Sequence, residues 1–165
     1  MKYNNKIAYL GVFTALALIL SFVESQIPPL MAIPGVKLGI PNIAILFILY
    51  KVGWKEASLV NLVRVFVVGL LFGSVMSMLY SLSGAFLSLL GMILLKKCNR
   101  FSSITVSVIG GILHNVGQII MACFVTVTSE LMYYLPVLII SGTVAGILIG
   151  IVAGMLLKRM EKFKI

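Results

Sequence analysis

The chain contains no aspartate, and its only acidic residues are Glu24, Glu56, Glu130 and Glu161. Mg²⁺-dependent diphosphate chemistry needs clustered carboxylates to hold the metal, and no two of these glutamates are neighbours in sequence. A single histidine cannot build a His-rich zinc site, and no Ser-His-acid triad is apparent. The Gly-x-x-x-x-Gly-Lys-Ser/Thr phosphate loop is missing, which removes ATP hydrolysis by that route. The two cysteines do not suggest a disulfide, because Cys98 falls in a connection and Cys123 within an apolar segment. No catalytic residue, metal ligand or cofactor is expected, and the chain is not expected to be an enzyme.

What remains is strongly apolar. Hydrophobic residues make up 61% of the chain and charged residues 10%, with a mean hydropathy of +1.18, well outside the soluble globular range. The apolar residues fall into six segments, approximately Ile7–Val23, Leu38–Tyr50, Ala57–Phe72, Val75–Leu95, Ile104–Val127 and Leu135–Leu157. Most are long enough for helical rise to cross the hydrocarbon core. Of the 13 Lys and Arg residues, all but Lys37 and Arg64 lie at the two ends or in the second and fourth connections. Lys and Arg are retained on the cytoplasmic side. The expectation is therefore an all-α integral membrane protein of the cell membrane, a six-transmembrane-helix bundle forming one domain over residues 1–165 with both termini cytoplasmic.

The net charge of +9 flanks the spans rather than forming a groove with interleaved aromatics, so phospholipid headgroups rather than nucleic acid are the expected acidic neighbours. Ile7–Ala17, preceded by Lys2 and Lys6, also has the form of a signal-peptide core with Ala15-Leu16-Ala17 as a cleavage motif. The apolar run continues through Val23, and removing it would break the charge alternation. Retention as a first span is the reading adopted.

Helices in lipid associate where small residues let backbones approach. Gly142, Gly146, Gly150 and Gly154 form such a ladder in the sixth segment, and Ser74, Ser77, Ser81, Gly84, Ser88 and Gly91 form a stripe in the fourth. Both are read first as packing seams, with the serines also able to bond a ligand. In the first segment Ala8, Gly11 and Ala15 form a smooth patch that either meets another helix of the chain or docks a separate subunit.

Arg64 is the residue to explain, because a guanidinium inside a span costs several kcal/mol unless paired or hydrated. Helical rise puts it about 12 Å above the start of its segment and His114 about 15 Å above the start of its own, so the two share a layer. Asn61 lies one turn below Arg64, Gln118 one turn above His114, and Asn115 beside His114. For Asn61 and Asn115 a helix-locking network is an equal alternative to ligand binding. Glu24, the nearest acidic residue, sits about 14 Å above Arg64 by the same count, which favours an anionic ligand as the partner of the guanidinium. The connection Ser25–Asn42 carries four of the five prolines. It reads either as irregular backbone lining a cavity, with Lys37 and Asn42 above the Arg64–His114 layer, or as an ordinary external loop.

Ser21-Phe-Val-Glu24, Pro34-Gly-Val-Lys-Leu-Gly-Ile-Pro-Asn42, Arg64, Ser81-Leu-Ser-Gly-Ala-Phe-Leu-Ser88 and Gly110-Gly-Ile-Leu-His-Asn-Val-Gly-Gln118 resemble the Gx transporter family. Members of that family are also labelled heptaprenyl diphosphate synthase component I. The resemblance covers nearly the whole chain. That family is in turn similar to the substrate-binding S-components of energy-coupling factor (ECF) transporters, six-helix membrane proteins that capture vitamins or their precursors. It implies a transmembrane coupling protein and two cytoplasmic ATPases as partners, with Gly11-x-x-x-Ala15 and Ala8 standing where S-components offer an Ala-x-x-x-Ala docking patch. The implied function is uptake of a small anionic vitamin or precursor, with Arg64, His114, Asn115, Gln118, Asn42, Lys37, Asn61 and Glu24 as the candidate substrate-binding set. The alternative is a non-catalytic accessory membrane subunit of a prenyl diphosphate or quinone-linked redox pathway. Prenyl diphosphate synthases rely on aspartate-rich metal motifs, which this chain lacks.

Overall fold

The computed structural model describes residues 3–27 and 37–160. These residues form six α-helices: α1 (Tyr3–Gln26), α2 (Asn42–Lys51), α3 (Trp54–Phe72), α4 (Val75–Lys97), α5 (Ser103–Thr126) and α6 (Leu135–Arg159), with a 3₁₀ turn at Ser129–Tyr134 leading into α6. No strand occurs among the described residues. Local chemistry sets the boundaries. The Ser74 hydroxyl accepts from Ser77 N and the Ser77 hydroxyl accepts from Ser74 N, a reciprocal cap that starts α4. Ser102 accepts from Thr105 N at the start of α5, satisfying a donor that has no partner within the helix.

Four stretches are long and apolar enough to cross a membrane: α1 from Lys6, α4, α5, and α6 together with its leading 3₁₀ turn. The remaining two apolar segments of the expected six-helix bundle are not among these four, each for a physical reason. At 10 residues, α2 is about 15 Å long, roughly half the hydrocarbon thickness. At 19 residues, α3 is long enough, but it carries Lys55, Glu56 and Arg64.

The short helix is the centre of the molecule. Ala44, Ile45, Leu46, Phe47, Ile48 and Leu49 are all at most 1% exposed, so α2 is buried on every face, as an all-round apolar helix must be. It packs against α1, α3 and α6, and the Phe47 ring stacks on Phe13 of α1 with centroids 4.3 Å apart. The longer helices instead turn apolar side chains outward, Leu70 (76% exposed) and Phe124 (82%) among them. That distribution suits a lipid-facing surface.

The glycine ladder of α6 meets α5. A Cβ on Gly146 would lie 2.6 Å from Val108 Cα, and one on Gly150 would lie 2.7 Å from Ile104 Cα, so the two backbones are in contact and no side chain fits between them. On its other side α5 packs against α4, where the Ser83 hydroxyl donates to Gly117 O at 2.8 Å. Opposite the pocket described below, Lys6 of α1 pairs with Glu56 of α3, and Lys51 Nζ donates to Met160 O at 3.1 Å.

Candidate functional site

Segment 37–41 turns into α2 without regular structure, and its backbone groups need partners. The Glu24 carboxylate supplies them: Oε1 accepts from Gly39 N at 2.5 Å and from Ile40 N at 3.0 Å. From the other side Gln118 Oε1 accepts from Lys37 N at 3.2 Å. Gly39 adopts φ 83°, a left-handed conformation that glycine takes without strain, and its α-carbon sits between the side chains of Asn42 and His114. An acid at the end of α1 and an amide on α5 thus hold this segment against the bundle.

Beneath the segment lies an open pocket whose empty space of about 350 Å³ includes open solvent; its enclosed part has room for little more than a water-sized group. Four residues of the candidate substrate-binding set line it: Glu24 from α1, Lys37 from the irregular segment, Arg64 from α3 and His114 from α5. Arg64 and His114 are 5% and 3% exposed, and both face this one space rather than lipid. Glu24 lines the pocket with Arg64, but the two form no ion pair; among the described residues the one ion pair is Lys6–Glu56. The Glu24 carboxylate is already engaged by backbone amides.

Arg64 is held by Asn61, whose Oδ1 accepts from Arg64 Nη2 at 2.7 Å while its Nδ2 donates to Ala85 O at 3.3 Å. Asn61 therefore aims the guanidinium and ties α3 to α4. Arg64 Nε is buried with no hydrogen-bond partner among the described residues, and so is His114 Nδ1. Unpaired buried donors of a permanent cation are costly, so the site is electrostatically incomplete. Burial pushes the Lys37 ammonium below the usual lysine range, with Glu24 opposing that shift and Arg64 adding to it.

The other residues of the candidate set lie behind this lining. Asn115 Nδ2 donates to Leu138 O at 2.8 Å, which turns its amide toward α6 and makes it a link between helices. Gln118 positions Lys37 through the backbone, and Asn42 is buried at the start of α2 with Oδ1 unpaired among the described residues. Several lining residues were absent from that set: Ser21, Ser77 and Ser81 add hydroxyls, and Val65, Val68, Gly69 and Met78 add an apolar wall. Ser77 and Ser81 belong to the α4 stripe, where small-residue spacing looks the same for packing and for lining. Val65, Val68 and Gly69 share the Arg64 face of α3, a signal that helical periodicity carries.

On the outer surface of α1, Ala8, Gly11 and Ala15 are all exposed, and a Cβ on Gly11 would meet nothing within 4 Å. The patch packs against no described helix of this chain.

The family model described as heptaprenyl diphosphate synthase component I matches residues 13–156, and the chain belongs to that family. No curated protein and no solved structure matches it.

Proposed function

We propose, taking that family membership as the premise, that the chain is the substrate-binding membrane subunit of an ECF-type importer, which captures a small anionic vitamin or precursor from outside. In this reading the chain crosses the membrane six times, the second crossing being Leu38–Tyr50 with Lys37 outside it, and both termini are cytoplasmic. The distribution of Lys and Arg supports that orientation. The pocket lies toward the end of the bundle holding Glu24 and the α3–α4 turn, the external end in this topology.

One observation carries the proposal: the pocket brings Arg64 and Lys37 together with one carboxylate that is already bonded to Gly39 and Ile40. The surplus of positive charge, with a guanidinium donor left unpaired among the described residues, is complementary to an anion. His114 supplies a directional hydrogen bond, and Asn61, Gln118, Asn115 and Asn42 hold the lining in place. Transport energy comes from partners, since the chain has no nucleotide-binding loop; the open Ala8–Gly11–Ala15 face is where the coupling protein docks, beneath which two ATPases act. Arg64→Met lowers anion affinity by about 10- to 100-fold, the usual worth of a charge-assisted hydrogen bond, measured by calorimetry on the detergent-solubilised chain. Unchanged affinity would reduce Arg64 to a helix-locking role.

The family's description favours a second reading, a non-catalytic accessory subunit of a prenyl diphosphate or quinone-linked pathway. Co-purification separates the two. An importer subunit brings down a coupling protein and an ATPase pair, and an accessory subunit brings down a synthase or redox enzyme.

A further inference from the structure

The lining of the pocket is divided. Its charged groups, Glu24, Lys37, Arg64 and His114, come from α1, the irregular segment, one turn of α3 and α5. Its aliphatic groups follow Arg64 along α3 as Val65, Val68 and Gly69 and are met by Met78 of α4. Val65 and Val68 are only 4% and 5% exposed, so they form the wall of the cavity rather than part of the outer surface. Beyond them the α3–α4 turn is flanked by exposed apolar residues, Leu70, Leu71 and Phe72 on one side and Val75 and Met76 on the other. An aliphatic portion of a ligand would be complementary to that wall, and a wholly polar anion would not.

We infer that the ligand is a small amphipathic anion, with an acidic head at Arg64 and Lys37 and a short aliphatic arm laid along Val65, Val68 and Met78 toward the α3–α4 turn. This rests on the anion-binding reading above and adds the arm. The enclosed space admits little more than a water-sized group, so the enclosed arm is a carbon or two long and a two-chain membrane lipid does not fit. Gly69 packs directly against Met78 beside the arm. A Cβ there would lie 2.8 Å from Met78 Cγ and 2.9 Å from its Cβ and Sδ, so Gly69→Ala displaces Met78 from its place in the lining.

The test is calorimetric titration of the full chain in zwitterionic-lipid nanodiscs with monoalkyl phosphates and carboxylates from one to eight carbons, with empty discs subtracting partition into lipid. Affinity should rise about fourfold per methylene over the first one or two carbons and then level off, and whichever head series binds more tightly identifies the acidic group. Gly69→Ala should abolish the gain per methylene. Met78→Ala should move the plateau to longer chains, and thermal melting of both variants verifies that they fold. A flat chain-length series that still weakens in Arg64→Met overturns the arm and leaves the anion site standing. Binding no tighter than to empty discs, or indifferent to Arg64→Met, overturns the anion reading itself. Displacement of the short probes by phosphatidic acid in the disc, with no gain per methylene, identifies a lipid headgroup and overturns the short-armed ligand.

Discussion

Arg64 is satisfied on one side only. Asn61 takes one guanidinium nitrogen at 2.7 Å, while Nε has no partner among the described residues, and a buried cation in that condition is a destabilising element unless something completes it. Removing it should accordingly cost binding more than folding: Arg64→Met keeps or raises the melting temperature of the unliganded protein while it lowers anion affinity. Thermal melting with and without ligand checks both halves. Lys37 adds pH dependence. Its ammonium is held below the usual lysine range by burial, and an anion needs the protonated form. Affinity therefore falls as pH rises, beginning below the pH at which an exposed lysine titrates, and Lys37→Gln removes this alkaline limb from a titration series. Glu24 acts through the backbone it holds. Glu24→Ala frees Gly39 N and Ile40 N, so their amides should exchange with deuterium faster while α4 and α5 keep their protection.

The long, strongly apolar elements were legible in the sequence, and the seams between them nearly as well. The glycine ladder of α6 predicted a packing face, and the structure adds its partner, α5, with the backbones in contact at Gly146 and Gly150. Gly146→Leu should therefore separate α5 from α6 and lower thermal stability by several degrees, whereas Gly11→Leu, with open space around it, should leave stability unchanged. The burial of α2 was not legible. A 10-residue apolar helix looks the same whether lipid or protein surrounds it, and only packing against α1, α3 and α6 decides. At the site, intramembrane charge drew attention to Arg64 and His114, and the pocket holds both. The hydroxyl and aliphatic lining was hidden for a different reason: Val65, Val68 and Met78 are ordinary membrane residues until a neighbouring cavity gives them a role. Counting helical rise also separated Glu24 from Arg64, because height along single helices does not register a pocket that extends between two levels.

At the scale of the whole molecule, three features have to act together: a pocket at one end, a basic face at the other, and an unpartnered small-residue patch on α1. In the proposed topology the pocket opens outward and the patch, in the first turns of α1, lies near the cytoplasmic surface, where an energising subunit would dock. Ala8→Leu combined with Gly11→Leu should then abolish co-purification of the coupling protein and ATPases while leaving ligand affinity unchanged. The orientation is checked by cysteines placed singly at Ser129 and Lys158, the first labelled by an impermeant maleimide in intact cells and the second only after lysis. The central claim is that Arg64 and its neighbours form a receptor for a small anion. Native mass spectrometry of the purified chain tests it most directly: the wild type should carry a low-mass acidic species that Arg64→Met has lost, and an identical bound species in both proteins would contradict the account.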